Sequence, residues 1–210
     1  MISIYSLKPR FQNLLRPLVS TMAERGITAN QVTLAAAAMS LLVALLVAWQ
    51  AQHLWVFVLI PLWMFLRMAL NAIDGMLARE FGQQSKLGAY LNELSDVIAD
   101  SALYLPFALL ADVPALLVVC VVLMAAVVEY AGVLGLMVGA TRRYDGPMGK
   151  SDRAAVFGLL GAGVAFGLLD STWITGILAL TLLLLIYTLY NRIRRGLAQA
   201  AEDIEPNTSL

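Results

Sequence analysis

Asn71-Ala-Ile-Asp74-Gly75-Met-Leu-Ala78-Arg79, followed after eight residues by Gly88-Ala-Tyr-Leu-Asn92-Glu93-Leu-Ser-Asp96, decides how this chain is read. Both segments set carboxylates, carboxamides and glycines inside otherwise apolar sequence. A charged side chain at bilayer depth costs about 2.5–3.5 kcal/mol or more, so such residues mark a site or a pathway. Their spacing is helical. Asn71 and Asp74 are three apart, and Gly88, Asn92, Asp96 and Asp100 follow steps of four, so each set shares one helix face. Two helices that turn oxygen ligands toward each other can hold a divalent cation.

The surrounding composition is that of a membrane protein. Hydrophobic residues make up 60% of the 210 and charged residues only 13%, against about 25% charged in soluble domains. A bilayer core takes about 20 mostly apolar residues per helix, and suitable runs occur at 32–50, 54–78, 87–111, 114–140, 154–169 and 172–191. The expected fold is an all-α integral membrane protein, six transmembrane helices preceded by an interfacial amphipathic helix. It divides into an interfacial helix and turn (1–31), a six-helix transmembrane catalytic domain (32–193) and a cytoplasmic tail (194–210). No removable signal is expected, because amphipathic sequence precedes the first apolar run and no small-residue cleavage site follows a short one. Cys120 is the only cysteine, so no intrachain disulfide can form.

With six crossings, all of the 14 basic residues except Arg67 fall on one side of the membrane. Positive loops stay cytoplasmic, which puts both termini and the polar motif at the cytoplasmic boundary. The formal net charge of zero hides this asymmetry, and no nucleic-acid partner is expected. Residues 9–24 alternate apolar and basic positions at near-helical spacing, as in a helix lying among lipid headgroups. Thr28 and Asn30 are both candidate caps for the first span. Gly135-x-x-x-Gly139 and Gly163-x-x-x-Gly167 read as flat strips for helix packing, within one subunit or at a dimer face. There is no long internal repeat, Walker loop, dinucleotide glycine fingerprint or zinc spacing.

On an ideal helix, Gly88, Asn92, Glu93, Asp96 and Asp100 span an arc about 140° wide with Asp96 near its middle. Gly75 and Gly88 lack side chains, so a flat ligand or a phosphate can approach the backbone beside the carboxylates. Arg79 adds a planar donor fork suited to phosphate. Oxygen-only ligands favour magnesium, manganese or calcium over zinc. Such an ion would bind a diphosphate and polarise its phosphorus for in-line attack, while a remaining carboxylate took the proton of an attacking hydroxyl.

This arrangement resembles the signature of the CDP-alcohol phosphotransferases, Asp-x2-Asp-Gly-x2-Ala-Arg-x8-Gly-x3-Asp-x3-Asp. Asp74-Gly75-Met-Leu-Ala78-Arg79, the eight-residue gap to Gly88 and the final Asp96 are in register, and Ile27-Thr-Ala-Asn-Gln-Val-Thr33 is also family-like. The resemblance covers nearly the whole chain. It implies an interfacial helix before six spans, a homodimer, and transfer of a phospho-alcohol group from a CDP-linked donor, most often CDP-diacylglycerol, to an acceptor hydroxyl with release of CMP. It further implies Asp74 as a metal ligand, Asp96 as general base and second ligand, Mg2+ or Mn2+ as cofactor, and Gly75, Ala78, Arg79 and Gly88 around the nucleotide diphosphate. The chain departs from the signature at its first and third aspartates, which are Asn71 and Asn92. Both can ligate through amide oxygen, but two negative charges are lost, which weakens divalent binding and favours one ion over two. Glu93 and Asp100 are out of register but offer partial replacement.

Lys150 and Arg153, in the Tyr144–Arg153 loop, are candidates for holding donor or acceptor phosphate, or are simply charges that fix topology. Arg67, Asp100 and Glu129 count to comparable depth from the cytoplasmic ends of their spans, roughly 16–21 Å at 1.5 Å per residue. They are expected to form a buried cluster in which Arg67 pairs with Glu129, Asp100 or both; alternatively Arg67 binds the acceptor. Three readings of function follow: the transferase, a catalytically silent lipid-binding relative, and an intramembrane cation or proton pathway. The last needs polar residues continuing past Asp100 and Glu129, where the sequence is Leu103-Tyr-Leu-Pro-Phe-Ala-Leu-Leu110. The acceptor alcohol is not specified by any residue.

Overall fold

The computed structural model describes residues 4–202, so the end of the expected tail, 203–210, lies outside the described residues. Seven α-helices follow one another: α1 (Ile4–Glu24), α2 (Ala29–Trp49), α3 (Leu59–Glu80), α4 (Lys86–Tyr104), α5 (Ala115–Leu134), α6 (Lys150–Ala165) and α7 (Ser171–Glu202). Short 3-10 segments lead into α3 at Leu54–Val58, extend α4 through Leu105–Leu109 and extend α5 through Gly135–Val138. No strand occurs among the described residues.

Four helical stretches are long and apolar enough to cross a membrane: Ala29–Trp49, Leu54–Glu80, Ala115–Val138 and Ser171–Glu202. The other two expected spans do not qualify, α4 for its charges and α6 for its length. In α4, Glu93, Asp96 and Asp100 occupy a helix of 19 residues. In α6 there are only 16 residues, with Lys150, Asp152 and Arg153 in the first turn. Large apolar side chains such as Leu62, Phe65, Leu116, Leu123 and Leu183 point outward, an exposed apolar surface that water would not tolerate but lipid does.

Local chemistry sets the helix ends. Thr28 caps α2, accepting from Gln31 N–H at 3.2 Å while Gln31 Oε1 accepts from Thr28 N–H at 2.9 Å. Ser85 caps α4 by accepting from Gly88 N–H at 2.9 Å, and Asp170 accepts from the Thr172 and Trp173 amides at the start of α7. These contacts satisfy amide groups that the first helical turn leaves unpaired. The two small-residue strips read from the sequence have a different use. Gly139 (φ +88°) and Gly167 (φ +65°) are left-handed residues just past helix ends, a conformation that stops a helix and suits glycine.

Packing joins α2 to α3 and α4, α3 to α6, and α5 to α4 and α7. The buried stripe of α2 consists of Ala29, Val32, Thr33, Ala36, Ser40, Ala44 and Val47, small enough for close backbone approach. Trp63 reaches this stripe and donates to Ser40 Oγ at 2.8 Å. The main core closes around Tyr104, Phe107, Phe157 and Phe57; Tyr104 and Phe157 stack at 3.8 Å between ring centroids. A second, smaller core holds α1 against the opposite ends of α2 and α3 through Val19, Ala29, Val32, Ile73, Met76 and Leu77. Arg16 of α1 pairs with Glu80 of α3 at 3.1 Å. Helix α7 continues past Arg194 to Glu202, where the sequence placed a separate tail.

Candidate active site

Between α2, α3 and α4 lies an open cavity of about 580 Å³ lined by Asn71, Asp74, Gly75, Ala78, Arg79, Gly88, Asn92, Asp96 and Lys150. Every residue that the sequence assigned to metal or nucleotide therefore faces one space. Asp74 is buried and accepts a hydrogen bond from the Thr33 hydroxyl at 2.8 Å. Asn30 and Gln83 complete the lining, and Gln83 holds the start of α2 by accepting from Ala29 N–H at 2.7 Å and donating to Ile27 O. The motif's two glycines keep the space clear. A Cβ on Gly75 would meet the Arg79 guanidinium at 2.8 Å, and one on Gly88 would meet Asn30 Oδ1 at 2.8 Å. The Arg79 side chain has no ion-pair partner among the described residues.

A second cavity of about 330 Å³ adjoins the first, and Asp96 and Lys150 line both. Behind them runs an alternating chain of ions. Lys150 and Arg67 both pair with Asp96, the latter at 2.9 Å, and Arg67 also pairs with Asp100. Arg153 spans Asp100 at 3.5 Å and Glu129 at 2.9 Å. Glu129 is also reached by Arg192 at 3.4 Å and Arg142 at 3.3 Å, and Arg142 continues to Glu93 at 2.6 Å. Buried ions persist only when paired and hydrogen-bonded, and this network meets that condition with few exceptions: the Nε–H groups of Arg142, Arg153 and Arg192 have no acceptor among the described residues.

The network alters two sequence expectations. Arg67 takes Asp100 and Asp96 as partners, while Glu129 belongs to Arg153, Arg192 and Arg142. Arg153, placed by the sequence in a cytoplasm-facing loop, sits in the first turn of α6 and is 1% exposed. Its guanidinium is committed to Glu129 and Asp100. Thr33, Gln83, Arg142 and Arg192 were given no site role from the sequence. Only Thr33 carried a usable signal, a hydroxyl on the small-residue stripe of α2; the arginines read as topogenic charges until the chain is folded.

The loop after α5 is brought in by close backbone contact. Arg143 N–H donates to Gly132 O at 2.9 Å, and a Cβ on Gly132 would lie 2.7 Å from Arg143 O and 2.8 Å from Arg192 Nη1. Met148 N–H donates to Thr188 Oγ1 at 3.0 Å, and Gln199 accepts from Thr141 and Arg143. Asp145 is clamped by Arg143 at 2.8 Å and Arg195 at 3.0 Å. Burial pushes the Asp145 carboxyl upward, but hydrogen bonds from Arg195 and Arg143 outweigh it and hold the group below the usual carboxylate range.

Among the described residues no three His, Cys, Asp or Glu side chains gather as a metal site, because two of the four motif positions are amides. Asn71 and Asn92 nevertheless line the cavity beside Asp74 and form no side-chain hydrogen bond among the described residues. One carboxylate and two amide oxygens fit a single hard divalent ion. They do not fit a pair of ions, since both Asp96 oxygens are already held by Arg67 and Lys150.

A sequence profile of the CDP-alcohol phosphatidyltransferases matches residues 26–189, more than three-quarters of the chain. The chain belongs to the CDP-alcohol phosphatidyltransferase family. It is 46% identical over 201 residues to inner membrane protein YnbA of Escherichia coli (strain K12), a match that covers 96% of this chain and 100% of that one. It is 29% identical over 161 residues to a phosphatidylinositol phosphate synthase of Streptomyces avermitilis, covering 74% of this chain and 64% of that one. The fold matches the crystal structure of Mycobacterium tuberculosis phosphatidylinositol phosphate synthase PgsA1 with CDP-DAG bound, at a TM-score of 0.70 and 16% identity over 88% of this chain and 92% of that one. The same enzyme in complex with manganese and citrate matches at 0.66, with 18% identity and 88% of each chain covered. These two likenesses are of fold. Four apolar helices and an inner-membrane relative make this CDP-alcohol phosphatidyltransferase family member a multi-pass membrane protein.

Proposed function

We propose that the protein transfers a phosphatidyl group from CDP-diacylglycerol to an acceptor hydroxyl and releases CMP, at the cytoplasmic leaflet. One observation carries this reading: Asp96 stands on the wall shared by two adjoining polar cavities. A donor diphosphate in the larger cavity and an acceptor alcohol in the smaller one would meet beside its carboxylate. Arg79 and the open backbone at Gly75 and Gly88 would hold the diphosphate; Asp74, Asn71 and Asn92 would hold one Mg2+ or Mn2+. When bound, that ion neutralises the diphosphate and makes its phosphorus more electrophilic. Asp96 takes the acceptor's proton, the acceptor oxygen forms the new bond to the lipid-side phosphorus, and the diphosphate bond breaks with CMP as leaving group. Arg67 and Lys150 hold the Asp96 carboxylate in place.

Six crossings accompany this reading, with α4 and its 3-10 extension and α6 completing the four apolar stretches, both termini cytoplasmic, and α1 lying on the inner surface. A homodimer is the proposed assembly. The fully buried Tyr104, Phe107 and Phe157, one turn and more beyond Asp100, support a pocket open on one side and weigh against a conducting pathway.

The test is CMP release from CDP-diacylglycerol by purified protein with magnesium or manganese and a panel of alcohols. A positioned general base contributes about 10²–10⁴-fold, so Asp96→Asn should lose at least 10²-fold. Equal release by both proteins would remove Asp96 from this role. A second reading, a silent lipid-binding member, is favoured by Asn71 and Asn92 alone; it predicts donor binding with no CMP from any alcohol.

A further inference from the structure

Four cations line the smaller cavity, and none is free. Lys150 is taken by Asp96, Arg142 by Glu93 and Glu129, Arg153 by Glu129 and Asp100, and Arg192 by Glu129 and the Val128 carbonyl at 2.6 Å. Glu129 is the hub. It is 8% exposed and collects three guanidinium groups from three different parts of the chain: the loop after α5, the start of α6 and the middle of α7. The cavity walls carry five carboxylates (the fifth is Asp152) against these four cations. An anion entering this space would have to displace a buried carboxylate from its partners, or sit unpaired beside it. Either outcome leaves a desolvated charge without compensation. Three convergent arginines would otherwise make a strong phosphate site; here the protein has filled that site with its own side chain.

We infer that the smaller cavity accepts a hydroxyl compound without a phosphate group, neutral or bearing an amine, and that Glu129 is the residue that sets this preference. The inference rests on the transferase reading for the meaning of "acceptor", but its binding test does not. Specificity of this kind works by penalising the wrong ligand as much as by attracting the right one. Glu129 is a specificity-determining residue rather than a catalytic one, since it lines the smaller cavity only and is not on the wall shared with the donor cavity.

The experiment measures inorganic phosphate binding by thermal shift and calorimetry on purified protein in detergent. All variants carry Arg79→Ala, which removes the uncommitted guanidinium of the larger cavity. Arg79→Ala alone should bind phosphate negligibly at millimolar concentrations. Adding Glu129→Gln should tighten phosphate binding by about ten-fold or more, and adding Glu93→Gln, which removes one of the two carboxylate partners of Arg142, should give a smaller gain. Phosphate binding by the Arg79→Ala protein as tight as by the Glu129→Gln double variant overturns the inference; should that variant fail to fold, Glu93→Gln takes its place, and binding no tighter than by Arg79→Ala alone overturns it in the same way. In the activity arm, wild type should release CMP with glycerol in preference to glycerol 3-phosphate, and Glu129→Gln should narrow or reverse that ratio. A wild-type preference for glycerol 3-phosphate also overturns the inference. Absence of CMP release with every alcohol, beside the expected phosphate gain, would instead count against the transferase reading alone.

Discussion

Asp100 and Asp96 share the buried guanidinium of Arg67, with Arg153 and Lys150 as their respective second partners, and this sharing predicts how substitutions combine. Arg67→Leu should destabilise the protein by about 3 kcal/mol, because it takes a shared partner from two carboxylates in a poorly hydrated site and leaves Asp100 only the longer contact to Arg153. Adding Asp100→Asn should recover part of that loss. Adding Glu129→Gln should give a further, additive loss, since Glu129 answers to Arg153, Arg192 and Arg142 and not to Arg67. Unfolding in detergent monitored for the two double variants decides the matter; recovery by Glu129→Gln would contradict that pairing. In the larger cavity, charge is the scarce quantity. Asn71→Asp and Asn92→Asp should each lower the magnesium or manganese concentration needed for half-maximal CMP release, and an unchanged metal requirement would place the ion elsewhere. Asp74 and Asp96, which line one cavity, stand out in the sequence as candidates because a carboxylate in an apolar run is costly and is kept there for a site or a pathway. The partners of Arg153 were not, because nothing in a linear chain distinguishes a topogenic arginine from one that folds inward.

Helix ends and the loop between α5 and α6 do the positioning. Gly132 lets the loop backbone touch α5, so Gly132→Ala should cost about 1–3 kcal/mol by overpacking and should loosen Arg142 from Glu93 and Glu129. A lower melting temperature together with lower activity checks this; an unaffected protein would mean that the loop is free to move away. The Asp145 clamp ties the same loop to α7. Its carboxyl is held below the usual range, so its contribution to stability is present above the unfolded value, about 3.9, and fades as pH falls through the lower folded value. Wild type should therefore melt above Asp145→Asn at neutral pH, and the gap should close in strong acid. A gap that persists at pH well below the carboxylate range would show that the clamp does not depend on ionisation. The cap at Thr28 is one of the two that the sequence offers, because hydroxyl capping chemistry is local. The glycine stops at Gly139 and Gly167 looked like packing strips, because spacing alone does not reveal the sign of φ.

Across the whole molecule, polarity is gathered at one end and apolar surface wraps the rest. The proposed six crossings with cytoplasmic termini would put Asp112 and Asp170 outside and Gln84 and Asp145 inside. With Cys120 replaced by Ala, single cysteines at 112 and 170 should react with a membrane-impermeant maleimide on intact cells, and those at 84 and 145 only after permeabilisation. Labelling of position 84 from outside would reverse the proposed orientation, and labelling of only one external position would reduce the number of crossings.

Composition and spacing on their own established the helical membrane class and the family motif, and picked out Asp74 and Asp96 as candidates. Those properties depend on periodicity and on the cost of charge in an apolar run, and both are written along the chain. Tertiary structure alone decided which ions neutralise which. Arg67, Arg142, Arg153 and Arg192 come from α3, the loop after α5, α6 and α7, and only their convergence shows that Glu129 fills the second cavity's anion-binding groups. Coulomb energy falls with distance in space, and distance in space between residues 93, 129, 153 and 192 is set by helix packing rather than by their order.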